Sequence, residues 1–342
     1  MRTAWARAGA IVLAVILVLG ASGTGTAYAS QDSIPGEVLY PVKTFTEDFR
    51  GWLETDDAAE AALELEFADR RLAEMKKLAV QDPEHLSIAS LGYEKNLDAA
   101  LEKTGQIHEE NRYREMLEQC SLKMIGFIAA FDTIEDSASE TENDLINHNR
   151  ETTMNRYSWA IRSMSEIDGI RATEINIQLM QNRLQRAYDT TFNGWKFQAQ
   201  EALGQYIELG QLGEEIVQIA EDSGQDTSEM IRLNYEAAQR YRHQLRQING
   251  NVSGEIESEA DAVTEMMMQH QNEGTSDKPG NSDNNFIGQN SPQQSTEPPE
   301  SPGYSQGETG NQQQDGQGQE NTGSQSGSGS GSNDGNGGSG GK

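Results

Sequence analysis

Apolar residues recur at alternating steps of three and four along most of this chain, and this spacing restricts the fold more than any other feature. Such steps place the apolar side chains on one face of a helix, and helices with one apolar face pack side by side. The alternation typical of half-buried strands is missing. The sequence therefore predicts an all-α fold of long antiparallel helical hairpins in a coiled-coil-like bundle. The most regular stripe consists of Phe192, Trp195, Ala199, Ala202, Tyr206, Leu209, Gly213, Ile216 and Ala220.

Breaks between the stripes divide the chain into segments. Asp82-Pro83 and the polar run at 222–227 are typical of turns between helices. Residues 227–270 are predicted to form one helix of about 66 Å, kinked at Asn249-Gly250. The predicted segments are a signal peptide (1–29), an arm with a short aromatic helix (30–53), a first helical hairpin (54–110), a middle helical region (111–190), a second long hairpin (191–271) and a disordered tail (272–342).

Short matches at a nearly constant spacing favour an internal duplication. Phe-Arg-Gly-Trp at 49–52 resembles Phe-Asn-Gly-Trp at 192–195, and Tyr-Glu at 93–94 recurs at 235–236. Because self-similarity at a fixed period is the signature of structural repeats, the hypothesis relates the first predicted hairpin to the second. Matches this short also arise by chance in helical sequences.

The two ends of the chain have compositions of their own. Arg2 and Arg7, an apolar run at 8–21 and the Ala-Tyr-Ala at 27–29 are typical of a secretory signal peptide. The run is shorter than the about 20 residues that span a membrane, so cleavage near Ala29 and an extracytoplasmic protein are predicted, with retention as an anchor left open. Residues 272–342 are rich in Gly, Ser, Asn and Gln, which predicts a flexible tail.

Charge and cysteine content exclude several classes of partner. The formal net charge is −29, a balance that disfavours nucleic acid and strong binding to anionic membranes. Cys120 is the one cysteine, so no disulfide can form within the chain. Because Cys120 falls on an apolar stripe, we expect a buried core residue.

The N-terminal arm carries a candidate docking motif. Pro35-Gly36 is turn chemistry, and Pro41 is predicted to leave Leu39-Tyr40 extended and to open a helix. An apolar stripe on that helix is expected to dock on the protein's own bundle, with docking on a partner as the alternative. The residues of the motif are Pro35, Gly36, Leu39, Tyr40, Pro41, Phe45, Phe49 and Trp52.

Signatures of the common catalytic and metal sites are missing from the sequence. None of the five histidines follows a glutamate by three residues, and no H-E-x-x-H, G-x-S-x-G or phosphate-binding glycine loop occurs. The sequence thus predicts no enzyme and no cofactor. Two acidic clusters leave weak divalent-cation binding open, although solvated surfaces are the simpler interpretation. The clusters are Glu54, Asp56, Asp57, Glu60, Glu64 and Glu66, and Asp132, Glu135, Asp136, Glu140, Glu142 and Asp144.

The stretch SIPGEVLYPVK at 33–43 and the helix LELEFADRRLAEM at 63–75 resemble an uncharacterised family of exported bacterial helical domains. That family is marked by a Pro-Gly-acid-x-Leu-Tyr-Pro-x-Lys signature and by a Leu- and Glu-rich helix ending in Arg-Arg-Leu. The resemblance covers about residues 33–107 and implies export and a helical fold. As a domain of unknown function, the family implies no activity. The matching residues are Pro35, Gly36, Glu37, Leu39, Tyr40, Pro41, Lys43, Arg70, Arg71 and Leu72.

These observations lead to an expectation about function. We expect a non-enzymatic scaffold or interaction module of the cell envelope or the cell exterior, with an unidentified protein partner. The alternative is an extracytoplasmic binding protein that uses a groove between helices for a ligand, a cation or an unfolded chain. An exposed apolar groove near Met266–Met268 would favour that alternative.

Overall fold

The computed structural model describes Ser30, residues 32–248, Gly250 and residues 252–274. Within residues 32–274, the described chain is all-helical, which confirms the predicted fold class. It forms one 3-10 turn, Pro83–His85, and nine α-helices. These are α1 (Tyr40–Leu53), α2 (Asp57–Gln81), α3 (Leu86–Gly105), α4 (Glu110–Glu135), α5 (Glu140–Ser165), α6 (Gly169–Phe192), α7 (Lys196–Asp222), α8 (Ser228–Ile248) and α9 (Gly254–Gly274).

Two predicted segments fall largely outside the described residues. They are the signal peptide at 1–29 and the tail at 272–342, of which residues 272–274 belong to the end of α9. Among the helices that the structure describes, none combines the length and the apolarity needed to cross a bilayer.

Helices α2–α9 form two four-helix bundles with the same pairing scheme. In the first bundle, α2 packs on α3 and α4 on α5, while α2 also contacts α4 and α3 contacts α5. In the second bundle, α6 packs on α7 and α8 on α9, while α6 contacts α8 and α7 contacts α9. A single hydrophobic core runs through both bundles.

One pair of core contacts in the first bundle recurs in the second. The Tyr93 hydroxyl on α3 lies 2.8 Å from the Thr153 hydroxyl on α5, and Tyr206 on α7 lies 2.8 Å from Thr264 on α9 in the same way. Both threonine hydroxyls donate to the carbonyl four residues earlier, so each tyrosine donates to its threonine. The two tyrosines are 113 positions apart in the sequence.

The predicted first hairpin corresponds to α2 packed on α3, but the helices of the predicted second hairpin are paired differently. Helix α7 packs mainly on α6 and α9 rather than forming a long hairpin with α8. The repeat relates α2–α5 to α6–α9 at a spacing near 113 residues, instead of the 142–143 residues of the short sequence matches. Residues 227–270 are not one kinked helix, because the chain turns between α8 and α9, and Gly250 adopts a φ of 89° there.

A buried ion cluster lies where the two bundles meet. Arg150 on α5 is 2.8 Å from Glu135 of α4, and Arg183 on α6 is 2.6 Å from Asp132 of α4. Both arginines are at most 2 % exposed. Since buried charges are tolerated only when paired, these contacts fix α6 against the end of α4. Asp136 pairs with Arg186. Three of the six carboxylates of the second acidic cluster, Asp132, Glu135 and Asp136, therefore form ion pairs with arginines.

Several predicted core residues are buried as expected. Cys120 is fully buried, with its sulfur 3.5 Å from the Thr104 hydroxyl, and burial raises the pKa of its thiol to about 11. Met267 is buried, and Met266 and Met268 are partly buried and pack against the core. The methionine run thus faces inward, so it forms no exposed groove. Close approach of α7 and α9 depends on Gly210, where a β-carbon would overlap the side chain of Val263.

Candidate docking surface on the first helix

The arm before α1 is a series of turns that packs at one end of the first bundle. Ser33, Ile34 and Pro35 are buried, and Gly36 has a φ of 96° that favours glycine. A β-carbon at Gly36 would lie 3.1 Å from the ring of His85, so the glycine also permits close packing against the 3-10 turn.

The prediction that Leu39-Tyr40 is extended is wrong. The backbone of Leu39 is in the right-handed helical region, and the Tyr40 N–H donates to the Glu37 carbonyl at 3.1 Å. Helix α1 begins at Tyr40 itself, with Pro41 in its first turn. Proline is tolerated there because the first N–H groups of a helix have no partner within the helix. Pro41 therefore lies in the first turn of α1, as predicted, but the helix begins one residue earlier, at Tyr40.

A polar stripe of α1 makes the contacts with α2. Its members are spaced by three, four and three residues, so they lie on one face of the helix. Within α1, the two buried residues are charged, namely Lys43 and Glu47. We call this face the docking stripe, and it consists of Tyr40, Lys43, Glu47 and Arg50.

The first half of the docking stripe surrounds Glu74 of α2. The Lys43 ammonium donates to Glu74 Oε1 at 2.6 Å and to the Ser33 carbonyl at 3.1 Å. Arg71 of α2 donates through one guanidinium nitrogen to both oxygens of Glu74, at 2.6 and 2.7 Å, and to the Tyr40 hydroxyl at 2.9 Å. The two hydrogen bonds of the Lys43 ammonium therefore join α1 to the arm and to α2.

The second half of the docking stripe surrounds the two arginines of α2. Glu47 accepts from Arg71 and, at 3.1 Å, from Arg70. One turn further, the Arg50 guanidinium lies 5.9 Å from the centre of the buried Phe67 ring, on which Arg70 also stacks at 5.5 Å. Cation–π contacts of this kind stabilise by about 0.5–2 kcal/mol.

Burial of the stripe changes its proton affinities. Burial lowers the pKa of Lys43, while the hydrogen bond to Glu74 opposes that shift. Burial and the nearby Glu74 charge raise the pKa of Tyr40. Since both groups already have hydrogen-bond partners, the cluster behaves as a structural attachment rather than as a reactive centre.

The apolar stripe of α1 faces away from the bundle. Trp52 is 77 % exposed and Phe49 is 47 % exposed, and Leu53 beside them is 58 % exposed. The rings follow one another along the helix, with Phe45 and Phe49 stacked at 6.5 Å and Phe49 and Trp52 at 6.0 Å. The expectation that this stripe docks on the protein's own bundle is therefore wrong for Phe49 and Trp52, because the charged side of the helix occupies that contact.

A groove adjoins the exposed rings where α1 ends and α2 begins. It has a volume of about 510 Å³ and an apolar floor, with charged groups at its edges. Arg50, Leu53 and Glu54 line one side, and Ala59, Ala62, Leu63 and Glu66 of α2 line the other. The exposed stripe and this groove together form what we call the α1 surface.

Of the predicted docking motif, Tyr40 lies on the face of α1 that contacts α2, whereas Phe49 and Trp52 lie on the exposed face. The motif residues lie in the arm and on α1, whereas the attachment of α1 to α2 depends on Lys43 and Glu47, which the motif omitted. The available signal was the equal three-four spacing of the polar stripe. The groove-lining alanines of α2 gave no signal, since alanine is common on both faces of helices.

Two other regions were candidates for a site, namely the first acidic cluster and a groove between α3 and α5. The first acidic cluster spreads along α2, where Asp56 pairs with Arg112 and Glu60 with Lys103. Within the residues that the structure describes, no group of three or more metal-ligating side chains converges. A second open groove of about 420 Å³ lies between α3 and α5 and is lined by Leu101 and Trp159, among others.

Comparisons with known proteins identify one domain. A domain described as "Domain of unknown function (DUF5667)" is found at residues 32–155, which span the arm, α1–α4 and the first part of α5. This match extends beyond the predicted 33–107 and covers most of the first bundle. No curated protein matches the chain.

One solved structure also resembles the fold. It is described as "Computational Design of Self-Assembling Cyclic Protein Homooligomers" and matches with 13 % identity and a TM-score of 0.48. The alignment covers 73 % of this chain and 95 % of that chain. A likeness of this size carries no argument about function.

Proposed function

We propose that this chain is a non-enzymatic interaction module that acts outside the cytoplasm and binds a partner protein through the α1 surface. The observation that carries the proposal is the orientation of α1. A helix whose charged side is buried in ion pairs and whose aromatic side is exposed presents Phe49 and Trp52 in a fixed position. Exposed aromatic residues on a rigid element are typical of the anchor residues in protein interfaces.

The rest of the chain is consistent with such a role. The sequence pattern of residues 1–29 supports export, and the one cysteine is buried, so an oxidising exterior leaves it unreactive. Most of the buried ionisable groups pair with one another and serve the packing of helices. The two bundles then act as a rigid support for α1.

Affinity capture with matched variants tests this proposal. The full chain carries a C-terminal tag and is expressed in the cells that produce it, and its mature N-terminus is read by mass spectrometry. We expect the N-terminus at Ser30 and a protein partner that the double variant Phe49→Ser, Trp52→Ser no longer captures. The control is Phe192→Ser with Phe197→Ser, which removes two other exposed aromatics of 67 % and 64 % exposure. Equal capture by the α1 variant would refute the role of this surface.

A second candidate is a binding protein that uses the groove between α3 and α5. The observation that favours it is the indole of Trp159, which is 40 % exposed beside the largely apolar groove floor. A small ligand bound there would change the fluorescence of Trp159, and Trp159→Phe would remove the change. Co-purification of a small molecule with the wild type and the Trp159→Phe variant alike would count against this groove.

A further inference from the structure

We infer that the groove between α1 and α2 binds a basic amphipathic helix of the partner protein. This inference rests on the proposed function and names the chemistry of the partner. Three features lead to it, namely the shape of the groove, the small residues on its α2 side and the charge around it.

The shape of the groove suits a helix. Ala59, Ala62 and Leu63 are spaced by three and one along α2, so they form an outward apolar ridge on a helix that already packs inward through its other face. The opposite wall is Leu53, with Trp52 beside it. An amphipathic helix binds such a groove by laying its apolar face between two walls, and methyl-sized side chains let its backbone approach closely.

The charge around the groove suits a basic partner. Of the eight carboxylates in residues 40–66, those of Glu47, Asp56, Glu60 and Glu66 lie in ion pairs, the last with Arg50 of the groove edge. Within the described chain, the structure shows no ion pair for the other four, Asp48, Glu54, Asp57 and Glu64, so the surface keeps an excess of negative charge. Glu54 lies on the groove edge and accepts hydrogen bonds from the backbone of Thr55 and Asp56, at 3.0 and 3.2 Å, rather than from a cation. Complementary charge raises association rates and selects among partners with similar apolar faces.

Other occupants fit the same surface less well. A second copy of this chain would bring two net charges of −29 together and would place the acidic edges of the two grooves against each other. An anionic lipid surface would be repelled by the same carboxylates. A basic helix is the occupant that satisfies both the apolar floor and the acidic edges.

Binding of defined peptides tests the inference on the full chain. The probe is a fluorescein-labelled helix of leucine and lysine, about 18 residues or five turns long, and the matched peptide has glutamate in place of lysine. Fluorescence anisotropy is measured at about 0.15 M salt, where distant charges are screened. We expect the lysine peptide to bind and the glutamate peptide not to bind.

Two charge variants separate the groove from general attraction. Ala62→Glu fills the groove and adds a negative charge, whereas Gln239→Glu adds the same charge at an exposed site on α8. We expect Ala62→Glu to weaken binding by about tenfold or more, and Gln239→Glu to leave it within about twofold. If attraction were only electrostatic, both variants would bind as tightly as the wild type or more tightly, and the inference would be overturned.

The remaining outcomes identify the occupant if it is not a basic helix. A dimer in sedimentation velocity that Ala62→Glu abolishes would show a second copy in the groove and overturn the inference. Phosphatidylcholine vesicles that shift the tryptophan emission to the blue, with the shift lost in Trp52→Phe, would assign the surface to lipid and also overturn it. Failure of the lysine peptide, together with capture that still depends on Phe49 and Trp52, would overturn the inference and leave the proposed function standing. Loss of both would refute both.

Discussion

Replacing Glu47 with alanine should release α1 from the first bundle while both bundles stay folded. Glu47 joins α1 to Arg70 and to Arg71, and Arg71 is 4 % exposed. Without Glu47, the buried cations Lys43 and Arg71 share the one carboxylate of Glu74, so one buried charge lacks compensation. An uncompensated buried charge of this kind costs about 3–5 kcal/mol. The protein avoids that cost if α1 undocks and lets water reach Arg71.

The size of the effect follows from how α1 is held. The described buried residues of α1 are Lys43 and Glu47, so little apolar burial opposes its release. A loss of about 3–5 kcal/mol is then comparable to the whole docking free energy of the helix. Amide exchange in α1 should accelerate by about 10²–10⁴-fold or reach the rate of an unprotected segment. Local opening of this kind does not require the bundles to unfold.

Hydrogen exchange with mass spectrometry measures this directly. Peptides within 40–53 should lose protection in Glu47→Ala, whereas peptides within 57–81 and 196–222 should keep theirs. The control is Asp48→Ala, which removes a neighbouring carboxylate that is exposed. If α1 keeps its protection and the unfolding midpoint of the whole protein falls instead, the docking stripe is part of the global core and the reasoning is refuted.

Three further predictions concern the bundles. Gly210→Ala should destabilise the protein by about 1–3 kcal/mol, because the new methyl group would overlap Val263. Gly204→Ala lies on the same helix, where a β-carbon meets nothing within 4 Å, and should stabilise the protein by about 0.5–1 kcal/mol. Urea unfolding measures both variants, and equal effects would contradict the close contact between Gly210 and Val263. Tyr93→Phe and Tyr206→Phe should each cost about 0.5–1.5 kcal/mol and add in the double variant, whereas clearly different values would argue against equivalent core positions. Burial is the main cause that raises the pKa of Glu64 above 4.5, so the wild type loses stability as pH rises through the folded-state pKa. Between about pH 4 and pH 7, the free energy of unfolding of Glu64→Gln in urea should therefore rise relative to that of the wild type. A difference that stays constant with pH would refute the raised pKa of Glu64.

The number and type of elements could be predicted from the sequence because they depend on local spacing. The stripe Met116, Cys120, Met124, Phe127 and Phe131 is buried on α4, as its spacing predicts. The same argument holds for α8 and for the part of the predicted stripe on α7, from Ala199 to Ala220, whereas Phe192 and Trp195 precede α7 and are exposed. In each case the period of the apolar residues is a property of one helix and needs no knowledge of its neighbours.

Helix pairing could not be predicted, because a stripe shows that a helix has a partner without showing which one. Helices α7 and α8 have regular stripes and a short connection, which favours a hairpin. Their stripes are instead covered by α6 and α9. The Phe-x-Gly-Trp matches misled the repeat assignment for a similar reason, since Phe192 and Trp195 lie at an exposed turn rather than in the core.

The face of α1 could not be predicted because its burial depends on residues far away in the sequence. Lys43 and Glu47 are typical surface residues, and only the presence of Arg71 and Glu74 opposite them makes their burial favourable. Those partners are 24 to 31 positions away. A prediction from hydrophobic periodicity does not take such ion pairs into account, so it assigns the aromatic face of α1 as the buried one.

The repeat explains why α1 binds through charge. Arg71 on α2 and Arg183 on α6 occupy corresponding positions 112 residues apart, and both are buried. Asp132 of the first bundle pairs with Arg183, whereas Arg71 pairs with Glu74 of its own helix and with Glu47 of α1. Helix α1 thus caps the first bundle as the first bundle caps the second. The contact with α2 thus accounts for the buried docking stripe but not for the exposed Trp52, which the proposed partner at the α1 surface would cover.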